Sequence, residues 1–367
     1  MRYGYSNCEV VVSDNSSEDD VGGYVASLSK PRVKYSRTDH LVSVTDKQNN
    51  ALAHSSGDYV LMLGDDDGLV NGYFRELERV LERFDEPDVV YSRAYQFAHA
   101  GVVPGYPTGY LQVTGVARFF RGRSGPFLLD EAAARRVAGR ALRFELAYDC
   151  NTQHAMLSRR LIDSLGGVRE FFCSAFPDYY PMNLTFLTAR RIVADPRPLT
   201  IIRITRRSYG FYHLNRREQE GLQMLRSLDG VDLGGAPLAG DDIKAGWLDA
   251  MRELERQLAD RGLSVGVRRL RRPRAFEALL TVRRRELATA HLRALALPDQ
   301  ALVLATTAAF FLSRLLPAQW RVALRKRLPC HLPHWDAPMI DGTSESVVDV
   351  FEHRDELIWG TRQPVRG

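Results

Sequence analysis

Three consecutive carboxylates, Asp65-Asp66-Asp67, follow the apolar stretch Asp58-Tyr-Val-Leu-Met-Leu63. Like charges this close are costly to hold in one turn unless a cation neutralises them. Hard carboxylate oxygens suit Mg2+ or Mn2+, an ion often shared with a substrate diphosphate. The blander role for the triplet is a solvated acidic turn that ends a strand. A second polar turn, Asp14-Asn15-Ser16-Ser17, ends the β-branched run Glu9-Val-Val-Val-Ser13. Two acidic clusters at strand ends point to a binding site, because ligands of α/β sheets lie beyond the carboxyl ends of the strands. Other chemistries lack their residues. There is no Walker loop and no GxSxG, and His54 and His154 have no partner at metal-ligand spacing. Cys8, Cys150, Cys173 and Cys330 are widely separated with no CxxC, which reads as reduced structural thiols in a reducing compartment. The Arg pairs lack the interleaved aromatics of a nucleic-acid surface, so no nucleic-acid partner is expected.

These carboxylates need strands and helices to hold them. Residues 9–13, 33–35, 58–63 and 88–92 read as strands. Helices are expected at 18–28, at 45–55 with Thr45 as cap, and at 71–84, where Phe74, Leu77, Val80, Leu81 and Phe84 share one face. Alternating strands and helices imply βαβ units and a mostly parallel α/β sheet flanked by helices. Beyond residue 95 the pattern loosens. Loops are expected at 101–109 and 122–126, helices at 130–138, 155–165 and 180–190, and a last strand at 199–204. Residues 231–241 read as a linker, 242–330 as a basic helical extension and 331–367 as a polar tail. The chain has 367 residues, 45% of them apolar and 26% charged, enough to bury a core and far from the composition of disordered or collagenous chains. No apolar run approaches the roughly 20 residues of a membrane-spanning helix.

Read together, three blocks resemble the family 2 glycosyltransferases with the GT-A nucleotide-sugar fold. Glu9-Val-Val-Val-Ser-Asp-Asn-Ser-Ser-Glu-Asp19 is similar to the family's second-strand motif, whose acidic residue meets the nucleotide base. Gln48-Asn49-Asn50-Ala51-Leu52 through Gly57-Asp58-Tyr59 is similar to its "RNxG…A.G.Y" helix and turn. Val60-Leu-Met-Leu-Gly-Asp-Asp-Asp67 is similar to "FLDxDD", which carries the metal-binding DxD. The resemblance covers about residues 8–95 and, more loosely, extends to about 205. It implies an inverting, metal-dependent transferase that moves a sugar from a nucleotide donor, UDP-linked, to a saccharide or lipid-linked acceptor in cell-surface polysaccharide synthesis. Asp14 would meet the base with Asn15 and Ser17 nearby, and Asn49 and Asp65 would complete the donor site. Asp66 and Asp67 would serve Mg2+ or Mn2+. Gly64 stands where the first DxD Asp lies, so the ribose contact falls to Asp65 or is lost. Gln48 replaces the usual Arg. Phe176-Pro177-Asp178-Tyr179-Tyr180 resembles the family's acidic motif before the acceptor-side helix, making Asp178 the candidate base or a helix N-cap, roles that do not exclude each other. His213, after Arg206-Arg207-Ser208-Tyr209-Gly210, lies where the family places a loop over the diphosphate, although a lone loop histidine is more often a surface or satisfied side chain.

The family begins with a strand and helix ahead of the Asp14 motif, whereas Met1 lies only eight residues before Glu9. A late-called start codon is the favoured expectation; a genuinely lost strand would make the chain a non-catalytic, membrane-peripheral relic or scaffold. A metal-dependent nucleotidyl- or phosphotransferase is a third class. The net charge of +5 is segregated: from Val265 to Arg327 there are 14 basic and 3 acidic residues. Within that segment Ala301-Leu-Val-Leu-Ala-Thr-Thr-Ala-Ala-Phe-Phe-Leu312 is apolar. Two readings stay open for it, insertion at an anionic membrane surface or a core helix with a solvated Arg face. The expected location is the cytoplasm, peripheral on the inner face of the plasma membrane.

Overall fold

The β-branched run at the start of the chain forms strand β1 (Val10–Asp14), which pairs in parallel with β2 (Val33–Arg37) across helix α1 (Val21–Ser27). In the computed structural model the described residues are 7–221 apart from 104–105, 108, 115–116, 143–146, 167–170, 175–177, 216 and 218–219. Also described are 243–259, scattered positions from 272 to 293, 295–313, 315, 317 and 340–341. The expected linker at 231–241 and most of the tail lie outside them. The Asp20 carboxylate caps α1 by accepting from the Gly23 N–H. Helix α2 (Val44–His54) is capped by Ser43, whose hydroxyl accepts from the Asp46 N–H and donates to the Asp46 carboxylate. The expected cap, Thr45, instead donates its hydroxyl to the Ser174 carbonyl.

The larger sheet is built on β5 (Val89–Ala98). One edge of β5 pairs along its whole length with β9 (Ile192–Ile204). Its other edge is shared by β8 (Ala155–Ser158) and β6 (Tyr110–Thr114). Beyond β8 lies β3 (Tyr59–Leu61), and beyond β6 the short β10 (Ile340–Asp341). The far edge of β9 carries β7 (Phe127–Leu129) and β4 (Gly68–Leu69). This corrects the expected mostly parallel sheet: β1–β2 and β5–β9 are parallel, and the other described pairs are antiparallel. The strand-helix alternation that implied parallel pairing holds through residue 98. Parallel neighbours need a crossover of about a dozen residues or more; the connection from Ala98 to Tyr110 returns β6 antiparallel to β5, and the remaining antiparallel pairs join strands far apart in sequence, which local alternation does not foretell. Residues 155–158, expected as helix, are the fully buried strand β8, and the helix begins only at α5 (Arg159–Ser164). Three apolar residues and a serine show no period long enough to tell the two apart.

Alternation along the strands sends Val89, Tyr91, Ala155, Leu157, Ile192 and Ala194 into one apolar layer and Val90, Met156 and Val193 into the other. The second layer is closed by α3 (Tyr73–Arg83) through Tyr73, Leu77 and Val80. The first is closed by α4 (Glu131–Ala141), by α5 and by α6 (Tyr179–Thr188), in which Tyr180 through Phe186 are all buried. Helix α8 (Ile243–Ala259) adds Ala250, Met251, Leu254 and Leu258 to this same layer, so the basic extension opens with a helix of the main core. Helix α7 (Tyr209–Leu214) follows β9, and α9 (Leu297–Ser313) carries the apolar run near the C-terminus.

Candidate functional site

After β3 the chain turns through Gly64 to Asp67 before entering β4. Asp67 folds back into the protein. Its Oδ2 accepts from the Gly64 N–H (2.9 Å) and the Gln153 amide (2.9 Å), and its Oδ1 accepts from the Arg203 N–H (3.0 Å). Burial outweighs these three bonds and pushes its carboxyl up to about 6. Gly64 suits this geometry, since a Cβ there would lie 2.8 Å from Asp67 Oδ2 and 3.1 Å from Asp66 Oδ1, and the carboxylates would have to shift to admit it. The departure from the family pattern at Gly64 therefore belongs to the inward turn of Asp67. Asp66 is half-buried, and its Oδ2 accepts from the hydroxyls of Thr205 (3.3 Å) and Ser208 (3.1 Å), just past the end of β9. Burial and then the charge of Asp65 push its carboxyl above the usual range. Asp65 is exposed.

Asp178 stands at the first turn of α6 but does not cap it. Its Oδ1 accepts from the Thr152 N–H (3.2 Å) and the Thr152 hydroxyl (2.8 Å). Burial, only partly offset by those bonds, raises its carboxyl above the ordinary range. Thr152 opens a single 3-10 turn, Thr152–His154, capped by the Asn151 side chain. The next residue, Gln153, holds Asp67. The third, His154, bonds the Ser92 carbonyl through Nδ1 (2.8 Å) and stacks on Tyr91. Three successive residues thus fix the candidate base, the acidic turn and the central strand. His154 is a satisfied core histidine.

Asp14, at the end of β1, is buried among protein donors. Its Oδ2 accepts from the Tyr35 hydroxyl (2.7 Å) and Arg37 (3.2 Å), and its Oδ1 from the Ser17 N–H (2.8 Å). Burial pushes the carboxyl up, but Tyr35, Ser17 and Arg37 together outweigh it and hold the group below its ordinary value. A carboxylate has about four acceptor positions, and three of those of Asp14 are taken, in a side chain only 1% exposed. Tyr35→Phe is expected to lower stability near neutral pH by about 1 kcal/mol. A lowered folded value gives stability that is present above the unfolded value and lost as pH falls through the folded one. The variant should therefore reach its acid-unfolding midpoint at a higher pH than wild type, followed by circular dichroism.

The remaining donor-site candidates are tied down. Asn15 donates to the Val42 carbonyl (2.8 Å) and accepts from the Val42 N–H (2.8 Å) and the Thr38 hydroxyl (3.3 Å). The Ser17 hydroxyl accepts from the Asp19 N–H (3.1 Å). Asn49 brackets the Phe172 backbone, donating to its carbonyl (2.9 Å) and accepting from its N–H (3.3 Å), while Asn50 donates to Ser13 and Ser36 (3.1 Å each). Helix α2 thereby joins the Asp14 sheet to the segment leading to Asp178. The side chain of His213 lies outside the described residues. Sequence reasoning passed over Thr152, Gln153, Arg203, Thr205 and Ser208. The one available signal was the polar Thr205-Arg-Arg-Ser208 stretch directly after a strand, where the strand-end rule places ligands.

Among the described residues no three His, Cys, Asp or Glu side chains are arranged to hold a metal ion. The chemistry of the donor set still fits Mg2+ or Mn2+, which is usually held by one or two carboxylates plus substrate phosphates and water. Asp66 would be the ligand, with Asp65 beside it, because Oδ1 of Asp66 accepts from no other described side chain. Asp67, whose two oxygens already take three protein donors, serves the fold.

Residues 1–163 match the sequence profile of "Glycosyl transferase family 2". A curated relative, the GalNAc(5)-diNAcBac-PP-undecaprenol beta-1,3-glucosyltransferase of Campylobacter jejuni, is 35% identical over 71 residues. The match covers 18% of this chain and 23% of that relative's length. Two crystal structures of S. aureus TarS 1-349 overlay on the chain. The one in complex with UDP-GlcNAc has a TM-score of 0.46 at 14% identity, and the other 0.44 at 15%; each overlay covers 92% of this chain and 88% of the TarS chain. Across its first 163 residues, the chain is therefore similar to glycosyl transferase family 2.

Proposed function

We propose that the protein is an inverting glycosyltransferase that moves a sugar from a UDP-linked donor to a saccharide or lipid-linked acceptor in cell-surface polysaccharide synthesis. The family match supports the reaction class. The observation that carries the assignment of roles is the Thr152–His154 turn, which fixes Asp178 and the acidic turn from adjacent residues. Asp178 is the base: Oδ1 is anchored by Thr152, and Oδ2 takes the proton of the acceptor hydroxyl as it attacks the anomeric carbon. Its raised proton affinity suits that task. Asp14 receives the nucleotide base. Asp66, with Asp65, would hold Mg2+ or Mn2+, and a divalent ion there supplies Lewis-acid stabilisation to the departing nucleoside diphosphate. Thr205 and Ser208 keep Asp66 in place.

The test titrates UDP-sugars against the full chain with and without Mn2+, then analyses products formed with saccharide acceptors. Release of UDP with an inverted glycosidic linkage is expected. Release of pyrophosphate would instead assign nucleotidyl transfer, and no donor binding at all would reduce the chain to a scaffold.

A further inference from the structure

Helix α9 presents a surface that the transfer reaction does not use. Its inward side is narrow: Val303 and Thr307 are buried, and Phe310 packs with them over Ala275, Phe276 and Leu295. The opposite arc faces outward with Leu302 (52% exposed), Leu304 (50%), Phe311 (40%) and Leu312 (65%). From Ala301 to Leu312 no side chain is charged. The only two hydroxyls, of Thr306 and Thr307, are spent on the helix's own carbonyls at Leu302 (2.7 Å) and Val303 (2.8 Å). This stretch therefore offers water no free side-chain donor. A helix apolar on all sides belongs in a core or in lipid.

We infer that α9 lies in the interface of an anionic lipid bilayer, with its Leu302–Leu312 face turned to the acyl chains. Length favours lying along the surface: 17 residues make about 25 Å of helix, short of the roughly 30 Å hydrocarbon core. Among the described residues no helix is long and apolar enough to cross a membrane. Charge selects the partner. The segment from Val265 to Arg327 has 14 basic and 3 acidic residues, and one of those acids, Asp299, is already paired with Arg272. Arg314 follows the helix directly, and Arg321 and Arg325-Lys326-Arg327 come soon after. Anionic headgroups meet such flanks favourably. A second copy of the chain would bring two basic segments together, which opposes pairing through this face.

This inference stands apart from the transfer chemistry, because membrane binding is read without donor or acceptor. The full chain is co-sedimented with phosphatidylcholine vesicles with and without phosphatidylglycerol. Sedimentation with the anionic vesicles that weakens in high salt is expected, with at least a tenfold loss of binding in the Leu304→Glu/Leu312→Glu variant. Both side chains are half-exposed or more, so the variant should keep the wild-type thermal melt, which serves as the folding control. Absence of vesicle binding, or equal binding by the variant, overturns the inference. So does a concentration-dependent dimer in sedimentation velocity that the same substitutions dissolve, since the face would then belong to a second copy.

Discussion

Asp178→Asn is expected to lower kcat for transfer by roughly 10²–10⁴-fold while leaving UDP-sugar affinity within about twofold of wild type. The amide keeps the shape of the carboxylate and can still accept both Thr152 hydrogen bonds through Oδ1. It offers NH2 where the proton should go. Single-turnover transfer with a labelled donor reads the first quantity, and calorimetry the second. Transfer retained in this variant would remove Asp178 from the role of base. The wild-type pH profile should carry the same signature. A base works above its own pKa, and burial raises that of Asp178, so activity should fall on acidification at a pH above the ordinary carboxylate range. Thr152→Val removes one hydrogen bond that favours the charged form. Its acidic limb should move to still higher pH, a displacement that mere loosening of the fold would not produce.

Asp66→Ala is expected to abolish the Mn2+-dependent part of donor binding, a loss of about 100-fold or more in affinity. Thr205 and Ser208 lose their acceptor but keep each other, with their hydroxyls 3.0 Å apart, so the fold should tolerate the change. Asp67→Ala gives the opposite pattern. It strips acceptors from the N–H groups of Gly64 and Arg203 and from Gln153, at a cost of about 1–3 kcal/mol for each buried donor left unsatisfied. Denaturant unfolding beside calorimetry with and without Mn2+ separates the two residues. Mn2+-dependent binding that survives in Asp66→Ala would end its assignment as the ligand.

The βαβ portion of the fold was legible from the sequence because strands and helices there alternate with their own periods. The observed β1, β2, α2, α3 and β5 begin within two residues of where the pattern puts them. The central strands were less legible. β5 continues to Ala98 and β9 begins at Ile192 because the two strands pair with each other, a long-range fact that no local window contains. A bulge near Arg93 lets β9 carry Pro196 and Pro198, residues that argue against a strand when read alone. At the site, sequence found the residues that would touch a ligand and missed those that aim them. Asp66 and Asp178 announce themselves by type and by position at strand and helix ends. Thr152 and Gln153 are ordinary polar residues whose importance arises only when the turn carrying them meets Asp178 and Asp67. Asn49 shows the converse: a motif residue whose amide oxygen and nitrogen both bond the Phe172 backbone.

The β1–β2 pair has a further consequence. Among the described strands these two bond only to each other, and α2 fastens them to the larger body through side chains at Asn49, Asn50 and Thr45. A two-stranded sheet with no strand partner in the larger body, tied to it by side-chain bonds through α2 and by Glu9 and Lys34 at Ser56 and Gly57, is expected to form its own cooperative opening unit, with a lower opening free energy than the central strands. Amide hydrogen exchange should therefore sort the molecule into two bodies, Val10–Arg37 opening early and Val89–Ala98 late. A nucleotide donor that touches Asp14 on one body and Asp66 on the other would act as a strut between them. Its binding would slow exchange throughout the small sheet, far beyond the residues it contacts, and part of its affinity would be spent on ordering that sheet.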